Sequence, residues 1–139
     1  MHRVKRFAAV KTILIVDRDL GFVFWLGQVL DAAGFVAVPA KGIADAAEIV
    51  DLLRLPVGVL IAPASEQGLS EFVERLRFTS PDLQVIALTS EADTARMLPP
   101  VSGAVLKQKP RFRNQATKAE WLDLVQDPDC NCLASMSRF

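Results

Sequence analysis

The order of apolar and polar positions along the chain predicts five buried strands separated by helices. Thr12-Ile13-Leu14-Ile15-Val16 is a continuous apolar and β-branched run, and such a run suits a strand covered on both faces of a parallel sheet. Asp17-Arg18-Asp19 ends it. Asp19 is placed to cap a helix running to about Ala33, because its carboxylate can accept a free backbone N–H of the first turn. Gly34 then supplies the stop signal. Phe35 to Val38 reads as a second strand. Ile43 to Leu53 reads as a helix, with Ala46, Ala47, Ile49, Val50 and Leu53 at helical spacing. Pro56 precedes a third strand, Val57 to Ile61. A helix over Leu69 to Arg77 gathers Leu69, Phe72, Val73 and Leu76 on one face. Ser80-Pro81-Asp82 is a turn, Leu83 to Leu88 a fourth strand, and Ala104 to Leu106 the core of a fifth. Between the last two strands, Glu91 to Leu98 has room only for a short helix, since Pro99 and Pro100 stop it. Gln115 to Gln126 closes the pattern as an amphipathic helix with Ala119, Leu122 and Val125 inward. Residues 1–10 and 128–139 read as tails around one domain over residues 11–127.

Strands alternating with helices predict an α/β fold: a doubly wound five-stranded parallel sheet with helices on both faces, joined by right-handed crossovers. Ligands of such sheets bind beyond the carboxyl ends of the strands. Asp17, Ala62, Thr89 and Lys109 all fall at or just beyond predicted strand ends, so the pattern converges them on one crevice.

Charge and composition narrow the chemistry. The 139 residues carry 16 basic and 16 acidic side chains, a formal net charge of zero, which gives no global attraction to nucleic acid or to an anionic membrane. No apolar run approaches the roughly 18 residues that span a bilayer, and residues 1–10 lack the apolar stretch of a signal peptide. Cys130 and Cys132 are the only cysteines. Zinc needs about four ligands and no second cluster exists, so the pair reads as two reduced thiols in a tail, and a cytoplasmic location is expected. His2 is the single histidine and takes no role. There is no Ser/His/Asp or Cys/His nucleophile set, P-loop or G-x-G-x-x-G, and the chain is expected not to be an enzyme.

Taken together, several short motifs carry a family resemblance over roughly residues 11–127. Ile13-Leu14-Ile15-Val16-Asp17, Ala33-Gly34-Phe35, Leu88-Thr89-Ser90, Gly103-Ala104 and Lys109-Pro110 stand in the order and approximate spacing of the receiver domains of two-component response regulators. The chain resembles that family, which implies a flavodoxin-like fold and a place in phosphorelay signalling. It also implies that Asp17 is an acidic residue of the magnesium site, Thr89 the hydroxyl that contacts a phosphoryl group, and Lys109 the pocket lysine.

The departures from the family matter more. The phosphoacceptor position is Ala62, which has no oxygen nucleophile. The second of the two adjacent metal-site acids is Arg18, and Asp19 stands one position later. The loop after the acceptor is altered to Pro63-Ala64-Ser65-Glu66-Gln67-Gly68, and the aromatic switch position falls near Leu106. Magnesium wants octahedral oxygen ligands, usually with one or two carboxylates. A fixed cation such as Arg18 opposes it, since two unit charges about 4 Å apart interact by roughly 4 kcal/mol at an effective dielectric of about 20. No cofactor is therefore expected, with magnesium binding weak or absent. Arg18 or Lys109 is expected to pair with Asp17 in a neutral pocket, and Thr89 either binds local backbone or keeps a ligand role.

The first helix is unusually apolar. A buried stripe of Val23, Leu26 and Leu30 would leave Phe22, Trp25 and Val29 on a neighbouring face, where aromatic residues serve as interface anchors; the alternative is a wider core stripe. Lys107, Lys109, Arg111, Arg113 and Lys118 form a basic stretch with Phe112 as its sole aromatic, which suits a partner-facing surface rather than nucleic acid. The expected function is a degenerate receiver acting by protein–protein contact without aspartyl phosphorylation. Its expected partners are a histidine kinase, a phosphotransfer protein or another receiver, with a homodimer as an option. Two alternatives stand beside it. One is a residual magnesium-dependent acceptor using Asp17, Asp19 and a side chain such as Ser65 or Glu66; the other is a structural dimerisation module.

Overall fold

Residues 11–54, 56–89, 101–110 and 113–126 of the computed structural model are described. In chain order they form β1 (Thr12–Val16), α1 (Leu20–Ala32), β2 (Val36–Ala40), α2 (Ile43–Leu53), β3 (Val59–Pro63), α3 (Leu69–Thr79), β4 (Gln84–Thr89), β5 (Val105–Gln108) and α4 (Gln115–Gln126). All five strands are parallel in one sheet of order β2-β1-β3-β4-β5. This is the expected doubly wound sheet, with its order reversing beside β1. The short helix expected over Glu91 to Leu98 and both expected tails lie outside the described residues. The chain divides into two units, Met1–Lys109 and Pro110–Phe139, and the division falls inside the span expected as one domain.

Period-two alternation along the strands sorts the core onto two faces. Leu14, Val16, Ala40, Leu60, Ala62 and Val85 share one buried cluster with Ala46 of α2 and with Leu69, Phe72, Val73 and Leu76 of α3. The opposite face holds Ala37, and a Cβ added at Gly27 of α1 would lie 4.0 Å from its methyl. Helices thus cover both sides. α3 also fastens to α2 through the Arg75–Asp51 ion pair and to the turn before β5 through Arg77, which donates to the Ser102 carbonyl at 2.7 Å. In the second unit, Trp121 and Val125 are the fully buried residues of α4. Ala119, expected inward, is exposed, and Leu122 is only half-buried; the buried pair at i and i+4 follows the large indole rather than the smaller apolar side chains.

Strands β2 to β5 all lie further along the chain than their apolar runs suggest. β3 begins at Val59 because Gly58 N donates to Thr12 O ahead of the ladder, so Ala62 and Pro63 are strand residues rather than the loop beyond. β2 likewise extends to Ala40, whose carbonyl accepts from Asp17 N at 3.1 Å.

α1 corrects the expected interface. Its buried residues are Phe22, Val23, Leu26, Val29 and Leu30, a stripe at i, i+1, i+4, i+7 and i+8. That is the full width of an amphipathic helix seated on a sheet. Phe22 and Val29 are therefore core residues, at 1% and 6% exposure, and Trp25 is half-buried. The large apolar side chains that α1 leaves in solvent are Leu20 and Phe24, one helical turn apart.

Candidate functional site: a crevice closed by a lysine

The carboxyl ends of β1, β3, β4 and β5 come together as the sheet order requires. Ala62 pairs with Ala87 and Pro63 with Leu88. Thr89 pairs with Gln108, and its carbonyl accepts from Lys109 N at 3.3 Å. The β3–α3 loop is tied to the same rim by Ala64 N donating to Leu88 O at 2.8 Å.

The β1–α1 turn is built by its two aspartates. Asp17 Oδ1 accepts from Asp19 N at 2.8 Å, a local side-chain turn that fixes the loop. Asp19 Oδ1 accepts from Phe22 N at 3.2 Å, the expected N-cap of α1. The remaining oxygens meet Lys109. Its Nζ lies 3.3 Å from Asp17 Oδ2 and 3.4 Å from Asp19 Oδ2, and it donates to Asp17 Oδ1 at 3.4 Å. The same ammonium stands 5.2 Å from the centroid of the Phe22 ring, within cation–π range. Asp17 is buried, and its Oδ2 accepts no hydrogen bond; the ammonium faces it as a charge, not as a well-aligned donor. Arg18, between the two acids, is exposed. Of the two cations offered by the sequence as partners of Asp17, the structure uses Lys109.

Ala62 is fully buried within the apolar cluster of Leu14, Val16 and Leu60. It presents a methyl group where the resemblance places a nucleophilic carboxylate. Thr89 is also buried. Leu106, near which the resemblance places an aromatic switch residue, is half-buried in β5 opposite Ala87. Ser65 is exposed. Glu66 has a structural task that sequence reasoning missed. Its Oε2 accepts from Ile43 N at 3.4 Å and supplies a carboxylate to the N-terminus of α2, whose own N-cap residue, Gly42, has no side chain to do so. A helix starting on glycine was the available signal that a cap must come from elsewhere.

As a magnesium site this donor set falls short. The ion prefers six oxygens in near-octahedral order. Asp17 and Asp19 already serve backbone N–H groups and share one ammonium, and no group of three His, Cys, Asp or Glu suited to a metal exists among the described residues.

Comparison with solved structures gives the fold. A response regulator receiver protein from Sinorhizobium medicae superposes with a TM-score of 0.64 at 15% identity, over 86% of this chain and 94% of that one. A two-component transcriptional regulator AraC from Clostridium phytofermentans gives 0.63 at 19% identity, over 93% and 99%. A response regulator from Thermotoga maritima, solved in complex with Mg2+ and BeF, gives 0.55 at 21% identity, over 83% and 99%. The chain therefore has the CheY-like receiver fold of response regulators. No family model matches the sequence, and neither does any curated protein. Among the described residues no helix is long and apolar enough to cross a membrane.

Proposed function

We propose that this chain is a degenerate receiver that works in two-component signalling by protein–protein contact, without aspartyl phosphorylation. The observation that carries the reading is the pairing of a buried methyl at Ala62 with a lysine already committed to both nearby carboxylates. Phosphoryl transfer by this fold is positioning and charge neutralisation around an oxygen nucleophile. Here a methyl stands at the nucleophile position, and the two acids of the β1–α1 turn, Asp17 and Asp19, are held by an internal cation. In this reading magnesium binding is weak or absent, and the crevice has one charge state.

The partner-facing surface follows from α1. Leu20 and Phe24 are exposed beside the half-buried Trp25, and of the 13 residues of the helix only Asp31 is charged. A helix face of this kind favours an apolar helical partner, such as the phosphotransfer helices of a histidine kinase or a phosphotransfer protein. The test has two arms. A small-molecule phosphodonor with magnesium should leave the intact mass unchanged, and a histidine-kinase phosphotransfer domain should shift the amide signals of α1 in wild type but not in Phe24→Ala. Phosphoryl addition to the protein would overturn the first half of the proposal, and α1 shifts unaffected by Phe24→Ala the second.

A further inference from the structure

Three groups converge on one ammonium. Lys109 Nζ is 3.3–3.4 Å from oxygens of Asp17 and Asp19 and 5.2 Å above the Phe22 ring. The holders of the lysine are themselves joined, since Asp19 N donates to Asp17 and Phe22 N donates to Asp19. Asp17 is buried at 6% exposure, and its Oδ2 is orphaned of hydrogen bonds. A buried carboxylate oxygen in that state depends on a nearby positive charge. Among the described residues, the cation placed against it is Lys109. A divalent ion bridging Asp17 and Asp19 would meet the same oxygens, and like charges at such distances repel strongly in a partly buried site.

We propose that Lys109 is a built-in counter-cation. Its ammonium takes the place that a divalent ion would hold between Asp17 and Asp19, so the two are mutually exclusive and the crevice stays in one state at any ordinary divalent-ion concentration. The proposal deepens the reading of the chain as a phosphorylation-independent receiver and rests on it for the identity of the crevice. It goes further in assigning the metal's role to one side chain and in predicting what removal of that side chain uncovers. An ordinary structural ion pair would affect stability alone. A counter-cation also controls metal affinity.

The variants are Lys109→Met, which keeps an unbranched apolar stem against Phe22 and removes the charge, and Lys109→Arg, which keeps the charge. Amide spectra of each full-length protein are titrated with Mn2+ alone, reading paramagnetic broadening at Asp17, Arg18 and Asp19. Wild type and Lys109→Arg should show no saturable broadening. Lys109→Met should show it centred on those three residues, with affinity on the order of tenfold or more above wild type, the scale set by removing one adjacent like charge. Equal binding by wild type and Lys109→Met, or silence in both, overturns the proposal. If Lys109→Met does not fold, Lys109→Gln is read by the same criteria. Thermal melting of wild type in magnesium and in chelator should coincide, and a clear stabilisation by magnesium overturns the proposal without any variant. The two readings fail separately. Labelling of wild type by a phosphodonor, with no Mn2+ binding by wild type, would sink the proposed function alone, while saturable Mn2+ binding by wild type without labelling would sink the counter-cation alone.

Discussion

Removing the charge of Lys109 should destabilise the protein by an amount that its surroundings set. Asp17 is left buried, and among the described residues Asp19 N–H is the remaining donor to its side chain. Breaking a fully buried ion pair costs about 3–5 kcal/mol, but the Lys109 side chain is 34% exposed, and solvent screening brings this share down to about 1–3 kcal/mol. The Asp19 pair is half-buried on the lysine side and exposed on the aspartate side, and it contributes about 0.2–1 kcal/mol. The cation–π contact adds about 0.5–1 kcal/mol, part of which a methionine regains through its sulfur against Phe22. Lys109→Met should therefore lose about 2–4 kcal/mol in urea unfolding, with m unchanged. For a chain of this size that is a fall in Tm of about 8–16 °C, at roughly 4 °C per kcal/mol. Lys109→Arg should stay within about 1 kcal/mol of wild type, because it keeps the charge but fits a point-charge site less well. A loss below about 0.5 kcal/mol for Lys109→Met, the range of an ordinary surface change, would refute the claim that this lysine compensates a buried charge.

Other perturbations separate core from surface. Phe22→Ala should cost about 3–5 kcal/mol as a buried aromatic truncation, whereas Phe24→Ala should leave stability within about 0.5 kcal/mol and weaken partner binding; chemical denaturation and titration calorimetry read the two effects. Asp19→Ala should cost about 1–2 kcal/mol, since it removes the N-cap of α1 and one of the carboxylates holding Lys109, and hydrogen exchange should rise first in the opening turn of α1. Glu66→Ala should cost about 0.5–1 kcal/mol and raise exchange at the Ile43 amide, while leaving the amides of Asp17 and Lys109 protected.

The parts of this fold that are legible in the sequence are those where one signal decides. β1 is an uninterrupted run whose ends match the strand, and α2 likewise keeps the bounds its pattern predicts, ending at a left-handed Arg54 with φ 52°. Gly34, with φ 98°, closes α1 as its position suggested. Strand ends were harder, because pairing rather than hydropathy sets them. Val57 is buried yet stands outside the β3 ladder. The width of the α1 stripe is hidden from the sequence for a related reason. The helix is so apolar that hydropathy cannot say which side chains face the sheet, and contact with the sheet buries Phe22 and Val29 while leaving Phe24 at 58% exposure. In the crevice, strand ends alone brought Asp17, Ala62, Thr89 and Lys109 together. The choice of Lys109 over Arg18 as the partner of Asp17 needed the β4–β5 register, and the Glu66 cap joins residues 23 apart, so neither is a local property.

The most direct test of the account is an amide NMR titration of wild type with magnesium and then magnesium plus beryllofluoride, which mimics an aspartyl phosphate. The account predicts no shifts at Asp17, Thr89 and Lys109, because Ala62 offers no acceptor oxygen and Lys109 already holds the acids. Saturable shifts centred on those residues would contradict it and make the crevice a ligand-gated switch.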